Sequence, residues 1–305
     1  MARIVIIGNS AAGFSCCEGL TKLSTGNEIT VVSGEGCLPY NKKLFFDYLG
    51  KRVKEEDIFL CPASFYSDNN ITFLKSAIAV KVNTHRHTVI LKDNTRISYD
   101  YLVIASGTHP AVPDIPGKSK KNIFSFFSLE DIRQIGQQAE FADTICLCAE
   151  ASLSLSILGA LSLNDKKVKI ISRKKPDGLS VPDNVEWIEG LELTEFIGEG
   201  SEVQAFKLSN GKVISASLVV WGQDFLAESD FLKDSGVEVE GGYVLVDDNM
   251  RTNIENIFSC GSVCRRRLEA VGEKTWEEAV EEGSLACRNI AESIERKNTP
   301  CLPTS

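Results

Sequence analysis

Between Gly8 and Gly13 the chain reads Gly-Asn-Ser-Ala-Ala-Gly, directly after the apolar run Ile4-Val5-Ile6-Ile7. Glycines at this spacing, after a strand and opening a helix, suit the phosphates of a dinucleotide. Gly8 permits the tight turn, Gly13 lets helix and strand pack closely, and the helix start offers free N–H groups to a pyrophosphate. Ser10 stands where the middle glycine of GxGxxG belongs and is small enough to be tolerated; Ala11 and Ala12 complete the turn. A ribose-binding acid is expected about 20 residues on, at the end of the second strand. Glu35, after Val32-Ser33-Gly34, is the acid available there. The alternatives are a plain glycine turn of an α/β fold and a solvated loop carboxylate.

The thiols and imidazoles point to less. The ten Cys stand at Cys16-Cys17, Cys37, Cys61, Cys146-x-Cys148, Cys260-x3-Cys264, Cys287 and Cys301. None is a CxxC, so neither a structural zinc site nor a self-ligated iron–sulfur cluster is expected. Three His (His85, His87 and His109) give little support to other metal chemistry. No metal site is expected, and the catalytic residues stay unassigned. Reduced, mostly buried thiols in a cytoplasmic protein are the expected reading.

Placing the first turn requires a strand, a helix and a second strand, and the hydrophobic pattern supplies them at residues 3–7, 11–23 and 28–32. Helical stretches are expected up to residue 49 and near 63–67. Residues 71–74, 77–83 and 88–91 alternate between polar turns and predict an antiparallel ribbon. Residues 101–105 form another buried strand, ending at Ser106-Gly107, and Pro110, Pro113 and Pro116-Gly117 then mark a domain boundary. After a helix at 128–141 comes a second strand–helix–strand series at 144–148, 151–163 and 168–171. A hairpin (203–208, 213–217) leads to strands at 218–221, 244–246 and 257–261, with a turn-rich stretch at 247–253. An amphipathic helix at 275–296 closes the chain. The two strand–helix–strand starts form an approximate internal repeat.

At 305 residues the chain is long enough for two domains. Its 43% hydrophobic and 25% charged residues are those of a soluble globular protein. A formal net charge of −9 argues against nucleic acid as a main partner, because phosphate backbones attract Lys and Arg. No apolar run approaches the roughly 18 residues of a membrane span. No charged-then-apolar leader precedes the first strand, so no signal peptide is expected.

In this order the segments resemble a family, the flavin-dependent pyridine nucleotide–disulfide oxidoreductases, in the branch of rubredoxin reductases, NADH oxidases and nitrite-reductase-like flavoproteins. The turn at 8–13 is similar to the family's first fingerprint. Tyr99-Asp100-Tyr101-Leu102-Val103-Ile104-Ala105-Ser106-Gly107 resembles its YDxLVxATG stretch, with Ser106 for Thr. Leu38-Pro39-Tyr40-Asn41-Lys42-Lys43 resembles its PYxRP stretch, and Trp276, Ala279 and Gly283 match its closing W-x-x-A-x-x-x-G helix. The resemblance covers almost the whole chain. It implies an α/β fold of two Rossmann-like domains. A discontinuous FAD-binding domain takes residues 1–115 and 248–305, and a smaller NAD-domain-like insertion takes 116–247. It also implies FAD contacts at Gly8, Ser10, Ala11, Ala12, Gly13, Glu35, Lys42, Ala105, Ser106, Gly107, Gly261, Ser262, Thr275 and Trp276.

The departures from the family matter more. Where it has a second GxGxxG, this chain reads Cys148-Ala149-Glu150-Ala151-Ser152-Leu153, without a glycine. Glu150 would set a carboxylate beside a pyrophosphate, where like charges repel, and side chains would hold off the backbone. Only residues 172–185 separate two strands between which the family usually has a helix. NAD(P) binding is therefore not expected. The family's Gly-Asp pair, whose Asp meets the flavin ribityl chain, corresponds to Gly261-Ser262, and the Lys of its LSK stretch to Asp47. Cys37 is one residue off the position of the single-cysteine members' thiol. The family's C-terminal interface domain does not follow the closing helix, which puts its usual dimer in doubt. The resulting expectation is an FAD-containing electron-transfer protein, or a subunit of a hetero-complex, that serves an iron–sulfur redox partner. The alternatives are an NAD(P)H-dependent rubredoxin or ferredoxin reductase and a non-catalytic scaffold.

Overall fold

A computed structural model describes residues 1–23, 26–161, 163, 165–267 and 274–298. In chain order the elements used below are β1 (Arg3–Ile7), α1 (Ala11–Leu23), β2 (Glu28–Val32), β3 (Thr72–Leu74), β4 (Tyr101–Ile104), β5 (Ile123–Ser125), α2 (Leu129–Phe141), β6 (Thr144–Ala149), α3 (Ala151–Ala160), β7 (Lys167–Ser172), β8 (Val185–Glu189), β9 (Leu218–Gly222), β10 (Ile257–Ser259) and α4 (Trp276–Asn298).

The chain divides into two compact units. Met1–Asn41, Phe59–Thr108 and Ala227–Ser305 form the first; Lys42–Ile58 and His109–Leu226 form the second. Residues 42–58, which the sequence reading assigned to the FAD domain, group with the second unit. Residues 227–247, which it assigned to the insertion, group with the first.

Each unit is built on a five-stranded parallel sheet. The first runs β10–β4–β1–β2–β3 and the second β5–β9–β6–β7–β8. β1 lies between β4 and β2, as β6 lies between β9 and β7, so the internal repeat extends to the order of the central strands. These strands are apolar on both faces because helices or loops cover both: four of five residues in β1 and all six in β6 are buried. Helix α2 begins with a capping box, in which the Ser128 side chain accepts from Asp131 N–H while Asp131 takes the Ser128 N–H. In the first unit α1 and α4 pack directly on each other. A Cβ on Gly283 would lie 2.2 Å from the Ala12 carbonyl oxygen, and one on Gly19 2.6 Å from Cys287 Sγ.

Two expectations are corrected. Residues 72–74 do not join the ribbon but pair in parallel with β2, Thr30 opposite Thr72; the ribbon consists of Ala79–Asn83, Thr88–Leu91 and Arg96–Ser98. A strand of three residues is too short for its periodicity to name a partner. The helix expected to reach residue 163 stops at Ala160, with Leu161 extended at φ −87°, ψ 135°. Residues 173–184 form no helix between β7 and β8. Among the described residues no helix is long and apolar enough to cross a membrane, and no group of three His, Cys, Asp or Glu side chains could hold a metal. Cys301 lies outside the described residues.

Candidate functional site

In the first sheet the strand ends line up. Ile7 of β1 is in register with Val32 of β2 and Ile104 of β4, and Ile104 with Ser259 of β10. The turns that follow these strands therefore share the carboxyl edge, where open α/β sheets bind ligands. Gly8, Ser10, Glu35, Ala105, Ser106, Gly107, Gly261 and Ser262 come together on this edge, and Ala11, Ala12 and Gly13 open α1 beside them.

The geometry leaves no room for side chains at either fingerprint glycine. Gly8 has φ +105°, and its N–H donates to the Val32 carbonyl at 2.8 Å. A Cβ there would lie 2.0 Å from the Ala105 carbonyl oxygen, and a Cβ on Gly13 would lie 2.1 Å from the Gly8 oxygen and 3.3 Å from Ala105 Cβ. The Phe14 N–H donates to the Ser10 carbonyl at 2.8 Å, closing the first helical turn; the N–H groups of residues 11–13 precede that bond.

Sequence reasoning passed over Asn9, because the fingerprint prescribes nothing between its first and middle positions. The Tyr66 hydroxyl donates to Asn9 Oδ1 at 2.9 Å, while Nδ2 of the same amide is buried without a partner. An unpaired buried donor costs about 1–3 kcal/mol, which a ligand acceptor at this turn would relieve. An amide directly after Gly8 was the only trace of this in the sequence.

The other expected residues have definite local roles. Glu35 accepts from the Tyr40 hydroxyl on both oxygens, at 2.9 and 2.7 Å, so its carboxylate is held just beyond β2; Cys37 Sγ is 3.8 Å away. Ser106 Oγ donates to the Glu228 carbonyl at 2.7 Å, and the Glu228 N–H donates back to Gly107 at 2.9 Å. Thr275 caps α4: its hydroxyl accepts the Glu278 N–H at 3.2 Å, and Glu278 takes the Thr275 N–H at 2.7 Å. Trp276 opens that helix and packs on the first unit's core. Lys42 groups with the second unit, its Nζ 3.5 Å from the centroid of the Phe127 ring. Asp47 pairs with Arg52 at 2.8 Å. A buried pair that sequence reasoning also missed, Lys274 and Glu282 at 2.7 Å, lies beside Gly261.

Four buried or half-buried thiols of the first unit are poor nucleophiles. Burial pushes Cys17 and Cys264 up to about 12 and Cys61 and Cys287 up to about 11, so all four stay protonated near neutral pH. The described cysteines form no disulfide.

The second unit treats the equivalent edge differently. Cys148 of β6 is opposite Ile171 of β7 and Trp221 of β9, and Ala149 is opposite Gly222. Leu153 stands at the third glycine position, and its side chain fills the space over Gly222: a Cβ on Gly222 would lie 2.5 Å from Leu153 Cδ2. Glu150 precedes α3 without capping it. Arg173, which follows β7, donates to Asp224, which follows β9, at 2.6 Å, and its Nε lies 4.0 Å from Glu150. Because β6 lies between β7 and β9, this ion pair spans the carboxyl end of β6 in front of α3. Glu150 thus has a cation nearby, one that Arg173 shares with Asp224.

The family described as pyridine nucleotide-disulphide oxidoreductase matches residues 2–148 and 181–283. Apoptosis-inducing factor 3 of Homo sapiens is 23% identical over 324 residues, 99% of this chain and 53% of that protein; this chain spans about half its length. The assimilatory nitrate reductase electron transfer subunit of Bacillus subtilis (strain 168) is 24% identical over 273 residues, 85% of this chain and 35% of the relative. Among solved structures, the covalent putidaredoxin reductase–putidaredoxin complex matches with a TM-score of 0.85 at 20% identity, covering 95% of this chain and 75% of that one. At that identity the likeness is one of fold.

Proposed function

The chain belongs to the pyridine nucleotide-disulphide oxidoreductase family, and from that premise we propose that its first unit holds FAD. On this reading the protein passes electrons to or from an iron–sulfur protein partner in the cytoplasm, as an electron-transfer protein or a subunit of a redox complex, without a nicotinamide site of its own. When bound, FAD supplies exchange between one- and two-electron carriers.

The residues present fit the cofactor. Gly8 and Gly13 allow the tight turn that brings the start of α1 to the strand ends, the N–H groups of residues 11–13 are available to a pyrophosphate there, and the Asn9 amide adds a donor. Glu35, held by Tyr40, accepts from ribose hydroxyls. Ser262 offers a hydroxyl without charge, and the pinned loop 105–107 adds main-chain groups. The observation that supports the reading is the contrast between the two sheet edges: at the first, Gly8 and Gly13 let the turn pack tightly against Ala105 and only Ser10, Ala11 and Ala12 stand at the helix start, while at the second Leu153 packs over Gly222 and the Arg173–Asp224 pair joins the ends of β7 and β9. The electron-transfer subunit and the reductase–putidaredoxin complex among the similar proteins support a protein redox partner.

The competing reading, an NAD(P)H-dependent reductase, draws on Arg173, a cation that lies near Glu150 at the second edge while pairing with Asp224. The two separate in one preparation. Purified protein should show flavin absorption that an anaerobic one-electron iron–sulfur donor bleaches and NADH or NADPH does not; rapid bleaching by either nucleotide would favour the reductase. A colourless protein that takes up no added FAD would overturn the reading.

A further inference from the structure

The first unit contains a charged cluster that the fingerprint chemistry does not use. Glu282 of α4 and Lys274 lie 2.7 Å apart, with side chains only 8% and 9% exposed. Glu282 Oε2 accepts the Gly261 N–H at 2.8 Å and lies 3.8 Å from Cys264 Sγ; Oε1 takes Lys274 and has Arg266 Nη1 at 3.7 Å. Lys274 Nζ is also 3.7 Å from Cys264 Sγ.

Three elements meet at this cluster. Gly261 has φ +79°, and a Cβ on it would lie 2.9 Å from Ala12 Cβ, so its turn abuts the first turn of α1. Gly283, next to Glu282, is the glycine that lets α4 approach the Ala12 carbonyl. The carboxylate therefore holds, by a main-chain bond, the turn that carries Ser262 against the helix that carries the fingerprint. Ion pairs this deep are costly to build and costlier to break from one side. Position 262 has lost a carboxylate relative to the family's pattern, while a carboxylate lies behind the same turn.

We propose that the buried Glu282–Lys274 pair is a latch on the Gly261–Ser262 turn, and that both are positioning residues for the flavin site. The inference rests on the FAD reading above. With the latch closed, Ser262 is presented in one geometry; with one partner neutralised, the other charge is left buried and the turn shifts.

The test is reconstitution of apoprotein with FAD, followed by flavin fluorescence, alongside thermal melting of the same apoprotein. In Glu282→Gln, the folded apoprotein should bind FAD about tenfold more weakly or worse, as expected for loss of a charged hydrogen-bond acceptor. The double variant Glu282→Gln/Lys274→Met leaves no unpaired buried charge and should recover part of the melting temperature but not the affinity. It also carries the test should the single variant fail to fold. Wild-type FAD affinity in the folded variants would overturn the latch and leave the FAD reading standing. A wild-type apoprotein that binds no FAD would overturn both.

Discussion

At the first crossover the small residue sits on the helix: Gly13 of α1 lies against Ala105. At the second it sits on the strand: Gly222 of β9 lies against Leu153 of α3. Both arrangements close the gap between helix and sheet, and both units keep the same order of central strands. Only the first keeps the glycines of a dinucleotide fingerprint at its turn. The difference teaches that the packing requirement and the binding requirement of this motif are separable. A leucine opposite a glycine satisfies the core without the fingerprint glycine, so the fold persists where the fingerprint does not.

The largest effect should come from forcing apart the close contact between Gly13 and the first turn. Gly13→Val puts a branched side chain where a single Cβ already comes within 2.1 Å of the Gly8 oxygen. Overpacking of this kind costs about 1–3 kcal/mol, and flavin content, measured by absorbance after release, should fall below a tenth of wild type. Leu153→Gly, the matched change in the second unit, should leave flavin content unchanged. If both variants lose flavin alike, the comparison fails.

A smaller effect should follow from exchanging the partners in the second unit. Leu153→Ala opens a gap and Gly222→Ala overfills one, each costing about 1–2 kcal/mol at this half-buried contact. Combined, they should cost less than their sum by about 1 kcal/mol, as for residues in contact. Urea melts of the four proteins give the coupling, and strict additivity would mean that the two residues do not share the space.

The smallest effect concerns pH. In the second unit the Arg133 guanidinium holds the Glu55 carboxyl below the usual carboxylate range, and in the first Arg3 does the same for Asp100. A depressed carboxyl pKa stabilises the fold above the unfolded value, about 4, and that contribution is lost as pH falls through the folded value. Both pairs are a third or more exposed on at least one side, so each is worth less than about 1 kcal/mol. Glu55→Gln should flatten the acid limb of urea stability between pH 6 and 3 slightly, with flavin content at pH 7 unchanged. A steeper acid limb in the variant would contradict the assignment.

Much of this was legible in the sequence. The apolar runs of β1, β4, β6 and β9 announced buried parallel strands, and the glycine spacing after β1 announced the turn. The missing glycines after β6 announced that the second turn differs. The compensation at Gly222 was not legible, because it lies about seventy residues from Leu153 and depends on the register of β6 with β9. Asn9 was invisible because its importance lies in a hydrogen bond it lacks. The Glu282–Lys274 pair was not legible, because neither residue belongs to a motif and only folding buries them together. Residues 72–74 were misassigned because three residues carry no period.

The central claim is that the two edges differ in what they bind, and rapid mixing tests it most directly. Oxidised holoprotein is mixed anaerobically with NADH or NADPH, and in parallel with dithionite, while flavin absorbance is followed. The account predicts full bleaching by dithionite and slow or no bleaching by either nucleotide, without saturation. Fast, saturable bleaching by NADH or NADPH would show that the second edge is a working nicotinamide site and would contradict the account.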